Sequence, residues 1–176
     1  AKQHRFREAI EHFTRAECYL DRAHVYRRLK EYDKAVADYT RLIESRGEAA
    51  AVTWHFYQRA TPLWILGRTE EALKDYERFR IRLGRPFFSD ARAFLMLQEL
   101  GRQREAADVL SAALRDVKDD WLRQIFDCLA GQLSPDELVA DGAARENLEK
   151  LCEAYYYAGE ACLLAGDRSG ARRCFE

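Results

Sequence analysis

Proline, long apolar runs and an excess of one charge are what this sequence lacks. Only three of its 176 residues are proline, so little in it interrupts long helices. No apolar run approaches the roughly 18 residues of a membrane-spanning helix, and residues 1–5 do not resemble a signal peptide. The 29 Lys+Arg nearly balance the 30 Asp+Glu, which leaves no net field to attract nucleic acid or anionic lipid. We therefore expect a soluble, folded protein with no membrane span and no nucleic-acid partner.

Paired cysteines and catalytic motifs are also missing. The five cysteines form no Cys-x-x-Cys pair and no Cys/His spacing suited to zinc, and their odd number is typical of reduced thiols. The sequence has no nucleophile elbow, zinc-protease motif, phosphate-binding loop or dinucleotide-binding glycine motif. Glu153 and Glu160, two helix carboxylates beside Tyr156, are expected to face solvent rather than act as acid and base. The sequence thus predicts no metal site, no cofactor and no enzymatic activity.

A short phrase recurs along the chain. It reads Leu-Gly-Arg-Thr-Glu-Glu-Ala at 66–72, Leu-Gly-Arg-Gln-Arg-Glu-Ala at 100–106 and Ala-Gly-Asp-Arg-Ser-Gly-Ala at 165–171. A fourth copy at 29–35 has Lys30 in place of the glycine. A large apolar residue follows each final alanine four positions later, on the same helical face. Because glycine after an apolar helical pattern marks a helix end, each phrase predicts the turn between two helices of a hairpin.

The spacing of the alanines that end these phrases indicates the architecture. Ala35 and Ala72 are 37 residues apart, and Ala72 and Ala106 are 34 apart, which is the period of tetratricopeptide repeats. At this point the sequence resembles the tetratricopeptide repeat family, in which small residues let paired helices approach closely and large residues fill the space beside them. The resemblance implies an all-α fold, a right-handed superhelix or αα-solenoid of about four helical hairpins with one inserted helix pair. The residues that match the small and aromatic positions of the first two full repeats are Ala23, Tyr26, Ala35, Tyr39, Ala60, Ala72 and Tyr76.

Two irregularities interrupt the repeat within a predicted single domain, 1–176. Ala9 precedes Ala35 by only 26 residues, so either the first two helices fuse into one bent rod or a segment of the natural sequence has been omitted. Ala106 precedes Ala171 by 65 residues, which leaves room for an extra helix pair, and Ser134 opens a capping box with proline at the first helical position. The predicted parts are a partial repeat helix at 1–16, repeats at 17–46, 48–83 and 87–115, an inserted helix pair at 116–147 and a truncated repeat at 148–176.

The segment from Trp121 to Phe175 is similar to the C-terminal part of bacterial tetratricopeptide proteins that include periplasmic adaptor lipoproteins. The chain begins without Met and stops within a periodic stretch, so we expect a piece of a longer protein from which an export signal could have been removed. Cysteines that look free favour the cytoplasm. The resemblance leaves the periplasm open as the alternative.

The resemblance also implies a binding surface, because the first helices of the hairpins line the concave wall on which such solenoids bind peptides. Aromatic residues and arginine, the types enriched at binding hot spots, occur along this wall. Trp64 and Tyr156 fit the core equally well, and Arg27, Arg28, Arg59 and Arg92 favour an acidic ligand or a solvated charged face. The predicted groove residues are Leu20, His24, Arg27, Arg28, Tyr57, Gln58, Thr61, Trp64, Arg92 and Tyr156.

These features predict a protein- or peptide-binding scaffold without chemistry of its own. Leu20, His24, Tyr57 and Thr61 stand where chaperone-binding family members carry the Lys and Asn residues that hold a peptide carboxylate, so heat-shock chaperone tails are not the expected ligands. Two alternatives stay open. The chain could be the non-catalytic interaction domain of a larger enzyme or envelope assembly factor, or it could form homo-oligomers through exposed solenoid ends.

Overall fold

The computed structural model describes residues 2–15, 18–46 and 53–176. Every element in these ranges is an α-helix, and together they form eleven helices. The predicted boundary between residues 16 and 17 and the predicted start of a repeat at residue 48 lie outside the described residues. The helices are α1 (Lys2–Arg15), α2 (Tyr19–Arg28), α3 (Tyr32–Arg46), α4 (Thr53–Ile65), α5 (Thr69–Leu83), α6 (Phe88–Glu99), α7 (Gln103–Asp116), α8 (Asp120–Leu129), α9 (Pro135–Ala144), α10 (Leu148–Leu164) and α11 (Arg168–Phe175).

The chain divides into two compact units, which we call the first unit (Ala1–Gly84) and the second unit (Arg85–Glu176). In the first unit, each helix from α1 to α4 packs against the helix that follows it in the chain. In the second unit, α6 packs against α7, α8 contacts both of them, and α10 packs against α8, α9 and α11. Stepwise packing of neighbouring helices is the arrangement of an αα-solenoid, so the predicted fold class is confirmed.

The predicted turns between paired helices share one backbone geometry. Gly67, Gly101 and Gly166 adopt φ values of 74°, 72° and 76°, in the left-handed region that glycine enters without steric cost. The next residue then donates its N–H to the carbonyl five positions back, as Arg68 does to Leu63 at 2.9 Å. This bond satisfies a carbonyl at the end of the first helix. Each recurring phrase is therefore a helix C-terminal motif that reverses the chain.

Lys30 takes the place of glycine in the first of these turns. Its φ is 61°, and Glu31 donates its N–H to the Tyr26 carbonyl at 2.9 Å. The hydrogen-bond pattern is thus the same as at Gly67, but a residue with a side chain holds the left-handed conformation. The turn between α2 and α3 is built like the others in spite of its sequence.

The core of each hairpin follows the predicted division into small and large residues. Ala23, Ala35, Ala60 and Ala72 are fully buried at the close approaches, and the ring of Tyr39 is fully buried beside them. A side chain larger than alanine at these four positions would push the paired helices apart. Repeated small residues therefore set the spacing between helices in the first unit.

A polar relay appears twice in the first unit. Arg22 on α2 donates from Nε and Nη2 to Asp38 on α3 at 2.7 and 2.6 Å, and from Nη1 to the Thr14 hydroxyl on α1 at 2.8 Å. Arg59 on α4 donates in the same way to Asp75 on α5 at 2.7 and 2.8 Å and to Thr40 on α3 at 3.0 Å. In each case one arginine ties the first helix of a hairpin to its own second helix and to the helix before it.

The relay also joins α1 to α2, although the sequence spacing before the first full repeat is short. α1 and α2 are two separate helices that pack together, and the Cys18 N–H donates to the Phe13 carbonyl at 2.9 Å where the chain reverses. Thr14 contacts Arg22 as Thr40 contacts Arg59. Helix α1 therefore docks on α2 as the second helix of a preceding hairpin would, and the junction to which the bent-rod interpretation refers, residues 16 and 17, lies outside the described residues.

The inserted segment of the second unit is itself a helical hairpin. The turn between α8 and α9 contains Gly131 at φ 73°, and Gln132 donates its N–H to the Asp127 carbonyl at 2.8 Å, as in the other turns. Asp119 caps α8, and Ser134 and Glu137 form the predicted capping box of α9. The insertion thus repeats the hairpin design with its own glycine.

A close contact joins the insertion to α10. A Cβ atom added at Gly142 would lie 2.7 Å from the Ala154 Cβ, so α9 and α10 touch nearly backbone to backbone there. Trp121 on α8 donates its indole N–H to Glu153 on α10 at 2.7 Å. No helix among the described residues is both long enough and apolar enough to cross a membrane.

Candidate functional site

A groove of about 560 Å³ opens on the first unit where α1, α2 and α4 meet. Four of the predicted site residues, His24, Arg27, Arg28 and Thr61, line it. We call it the first-unit groove. Its lining is Phe6, Phe13, Asp21, His24, Val25, Arg27, Arg28, Tyr32, Thr61 and Ile65.

Helical periodicity brings these side chains to one surface. On α2, the residues Asp21, His24, Val25 and Arg28 are spaced so that they share one face of the helix. Thr61 and Ile65 stand 37 residues after His24 and Arg28, the spacing between the first two hairpins, so α4 presents the equivalent face. Helix α1 adds two aromatic rings from the other side. The groove is therefore built by helices whose packing the hairpin cores fix.

A chain of polar contacts joins α2 to α4 at the groove. The side-chain nitrogen of Gln58 lies 3.0 Å from Nε2 of His24, and its oxygen lies 3.4 Å from Nδ1 of His55. Because the amide nitrogen can only donate, His24 accepts this hydrogen bond in its neutral form. Burial lowers the pKa of His24, and the nearby Arg27 lowers it further. At neutral pH His24 is therefore uncharged while it links the two helices.

The charge in the groove is uneven. Arg27 and Arg28 lie at the C-terminal end of α2 and Asp21 lies near its N-terminal end. The sequence also indicated Arg59 as a source of positive charge. Its half-buried guanidinium donates two hydrogen bonds to Asp75, and Arg59 does not line the groove. Arg28 is exposed, and Arg27 lies close to the Tyr39 hydroxyl, whose pKa burial raises and Arg27 lowers in part. One end of the groove is therefore basic and the other is acidic.

The other predicted site residues lie elsewhere. Gln58 reaches the groove only through His24. Leu20 packs on the cluster of Ala23, Ala35, Tyr39 and Leu42. Tyr57 lies within an aromatic cluster, with ring centroids 5.5 Å from Tyr76 and 4.9 Å from Phe79. Trp64 is half-buried outside the groove lining. Arg92 on α6 and Tyr156 on α10 belong to the second unit, where Tyr156 packs against Tyr157 at 5.0 Å.

Sequence reasoning missed the aromatic wall of the groove. Phe6 and Phe13 lie on α1, for which the sequence predicts a partial repeat helix and no groove residue. A signal was present, because the two residues are seven positions apart and so lie on one helical face. Val25 and Tyr32 were also missed, since they fall beside the positions that the repeat resemblance marks.

The described residues hold no group of three or more His, Cys, Asp or Glu side chains that could bind a metal ion. What the groove offers instead is aromatic and aliphatic surface with two guanidinium groups and one carboxylate. Such a lining suits non-covalent recognition of a chain segment with both apolar and charged side chains.

Stepwise helical hairpins and a groove on their first helices define the class of αα-hairpin repeat proteins. Within this class, residues 16–48 match the tetratricopeptide repeat model, so that segment is similar to one tetratricopeptide repeat. The matched residues span the α2–α3 hairpin that forms one side of the groove.

One solved structure was found to be similar to this chain. The crystal structure of YrrB, described as a TPR protein with an unusual peptide-binding site, has 21% sequence identity and a TM-score of 0.49, and the match covers 96% of this chain and 88% of that chain. No curated protein sequence matches this chain.

Proposed function

We propose that this protein is a non-catalytic scaffold that binds a peptide segment of a partner protein in the first-unit groove. The αα-hairpin repeat fold is that of a protein-interaction scaffold. The observation that carries the finer proposal is the groove itself, in which apolar and charged side chains from four helices converge. Rigid aromatic residues and arginine supply most of the binding energy at protein interfaces.

Selection from a displayed library of random twelve-residue peptides tests this function on the full chain. We expect the wild-type protein to enrich a family of related peptides. Ile65→Glu places a charge on the apolar wall of the groove, at a side chain that is 56% exposed, and should weaken the selected peptides at least tenfold. Fluorescence anisotropy with labelled peptides measures the Kd.

Ile81→Glu is the matched control. It makes the same substitution at an isoleucine that is 81% exposed on α5 and does not line the groove, so the Kd should stay within twofold of the wild type. If no peptide family is enriched, or if both variants weaken binding equally, a peptide site in this groove is contradicted.

Association between copies of the chain is a second candidate, favoured by one surface of the second unit. Leu163 and Leu164 on α10 and Phe175 on α11 are 49%, 43% and 49% exposed, although their side chains are large and apolar. If this surface mediates association, light scattering over a concentration series shows dimers for the wild type and monomers for a Leu163→Glu/Leu164→Glu double variant. A wild type that stays monomeric at all concentrations contradicts this candidate.

A further inference from the structure

The geometry points to an acidic peptide with a bulky apolar side chain as the ligand of the first-unit groove, with its carboxylates at the end lined by Arg27 and Arg28. This inference rests on the proposed function, since it names the chemistry of the segment that the groove binds. Three features carry it: the polarity of the groove, its apolar walls and the charge of the unit around it.

The polarity follows from the order of residues along α2. Asp21 precedes Arg28 by seven residues, about 10 Å along a helix, and both side chains line the groove. A peptide that lies along α2 therefore meets one carboxylate at one end and two guanidinium groups at the other. Guanidinium groups bind carboxylates through short, charge-assisted hydrogen bonds, often two at once.

The expectation of a bulky apolar side chain in the peptide comes from the apolar residues that line the groove beside Arg27 and Arg28. Because α1 runs back along α2 from the reversal at Cys18, Phe6 lies towards the arginine end and Phe13 towards the Asp21 end. Ile65 faces the arginine end from α4, since it is the equivalent of Arg28 in the next hairpin. A large apolar side chain next to the ligand carboxylate would fill this space and exclude water from the charged contacts.

The charge distribution along the chain favours the same ligand. Residues 1–84 carry 17 Lys+Arg and 13 Asp+Glu, whereas residues 85–176 carry 12 Lys+Arg and 17 Asp+Glu. The first unit is therefore basic although the net charge of the whole chain is close to zero. A basic surface attracts acidic ligands and accelerates their association.

The composition of the peptides selected on the wild-type chain is the first test. We expect Asp or Glu to be enriched within four residues of Leu, Ile, Phe or Trp. The second test replaces the acidic residues of a selected peptide by Gln or Asn, which should raise the Kd on the wild type at least tenfold at low salt. On an Arg27→Gln/Arg28→Gln variant the same replacement should change the Kd less than twofold.

Lys74→Gln is the matched control, because Lys74 is exposed on α5 outside the groove, and it should keep the tenfold effect. The single variant Arg28→Gln, at an exposed position, repeats the measurement if the double variant unfolds, and it should reduce the tenfold effect. Selected peptides that bind through the groove but are neutral or basic overturn this inference and leave the proposed function standing. The inference is also overturned if replacing the acidic residues of the peptide by Gln or Asn raises the Kd as much on the arginine variants as on the wild type. An empty selection contradicts both proposals.

Discussion

At the scale of single residues, Lys30 is the clearest departure from the repeat. It holds φ 61° at the turn where other hairpins have glycine, and a left-handed conformation disfavours any residue with a Cβ. The flanking hydrogen bonds and the buried hairpin core hold the turn in place. Local conformational preference and tertiary packing therefore oppose each other at this residue.

Replacing Lys30 by glycine should stabilise the protein. The glycine relieves the strained backbone, and its greater freedom in the unfolded chain offsets part of the gain, so we expect the free energy of unfolding to rise by about 0.5–1 kcal/mol. Urea denaturation measures this change. The reverse substitution, Gly67→Lys, should lower it by about 1 kcal/mol, because a side chain there meets no neighbouring atom and only the backbone is strained. A loss of stability in Lys30→Gly contradicts the prediction.

The pH dependence of stability should report on His24. Burial, reinforced by Arg27, lowers its pKa below the ordinary value of 6.5. As the pH falls below about 6.5 the unfolded chain therefore binds a proton before the folded one does, and the free energy of unfolding decreases. Arg28 and His55 also lower the pKa of His24 and Asp21 raises it, and His24→Gln removes the ring on which these charges act. Denaturation at pH 7.5 and 5.5 should show a smaller decrease in His24→Gln than in the wild type, and an equal decrease contradicts the assignment.

At the scale of elements, the Thr–Arg–Asp relay explains how a sequence that is eight residues short still continues the solenoid. The relay requires a threonine on the preceding helix, an arginine on the first helix and an aspartate on the second. α1 supplies Thr14 although the loop after it is shortened. The contact, and not the length of the connection, fixes the docking of this helix.

Breaking the relay should destabilise the first unit strongly. The Arg22 and Asp38 side chains are only 11% and 4% exposed, and removing one partner leaves a buried charge without compensation. Asp38→Asn should lower the free energy of unfolding by about 3 kcal/mol in urea denaturation. Glu31→Gln, which breaks the exposed ion pair with Lys34, should lower it by less than about 1 kcal/mol. Similar losses for the two variants would show that the buried Arg22–Asp38 pair contributes no more to stability than an exposed ion pair.

The elements themselves were largely predictable, because three glycines in a repeated phrase indicate where hairpins turn. The hairpin of α8 and α9 also carried its signals, Gly131 and the capping box at Ser134. The docking of α1 was not predictable, since Thr14, Arg22 and Asp38 are separated in sequence and no local pattern links a threonine to an arginine eight residues later. The contact depends on tertiary packing.

At the scale of the whole molecule, the repeat resemblance indicated the first helices of the hairpins but not which of their residues line the first-unit groove. His24, Arg27, Arg28 and Thr61 come together because α2 and α4 are adjacent. Tyr57 packs into a core cluster instead. Arg92 and Tyr156 lie in a separate compact unit, and their assignment to a binding surface stays a prediction. Aligning repeat positions along the sequence does not show where the chain divides into compact units. It also does not show that α1, which lies outside the full repeats, contributes Phe6 and Phe13 to the groove.

The central claim is that the partner segment binds in the first-unit groove. It is tested by the backbone amide chemical shifts of the isotope-labelled 176-residue chain, recorded during titration with a selected acidic peptide. If the segment binds there, the shifts should change at Phe6, Asp21, His24, Arg28 and Ile65, and Ile65→Glu should remove these changes while Ile81→Glu keeps them. Changes confined to the second unit, or changes that persist in Ile65→Glu, would contradict it.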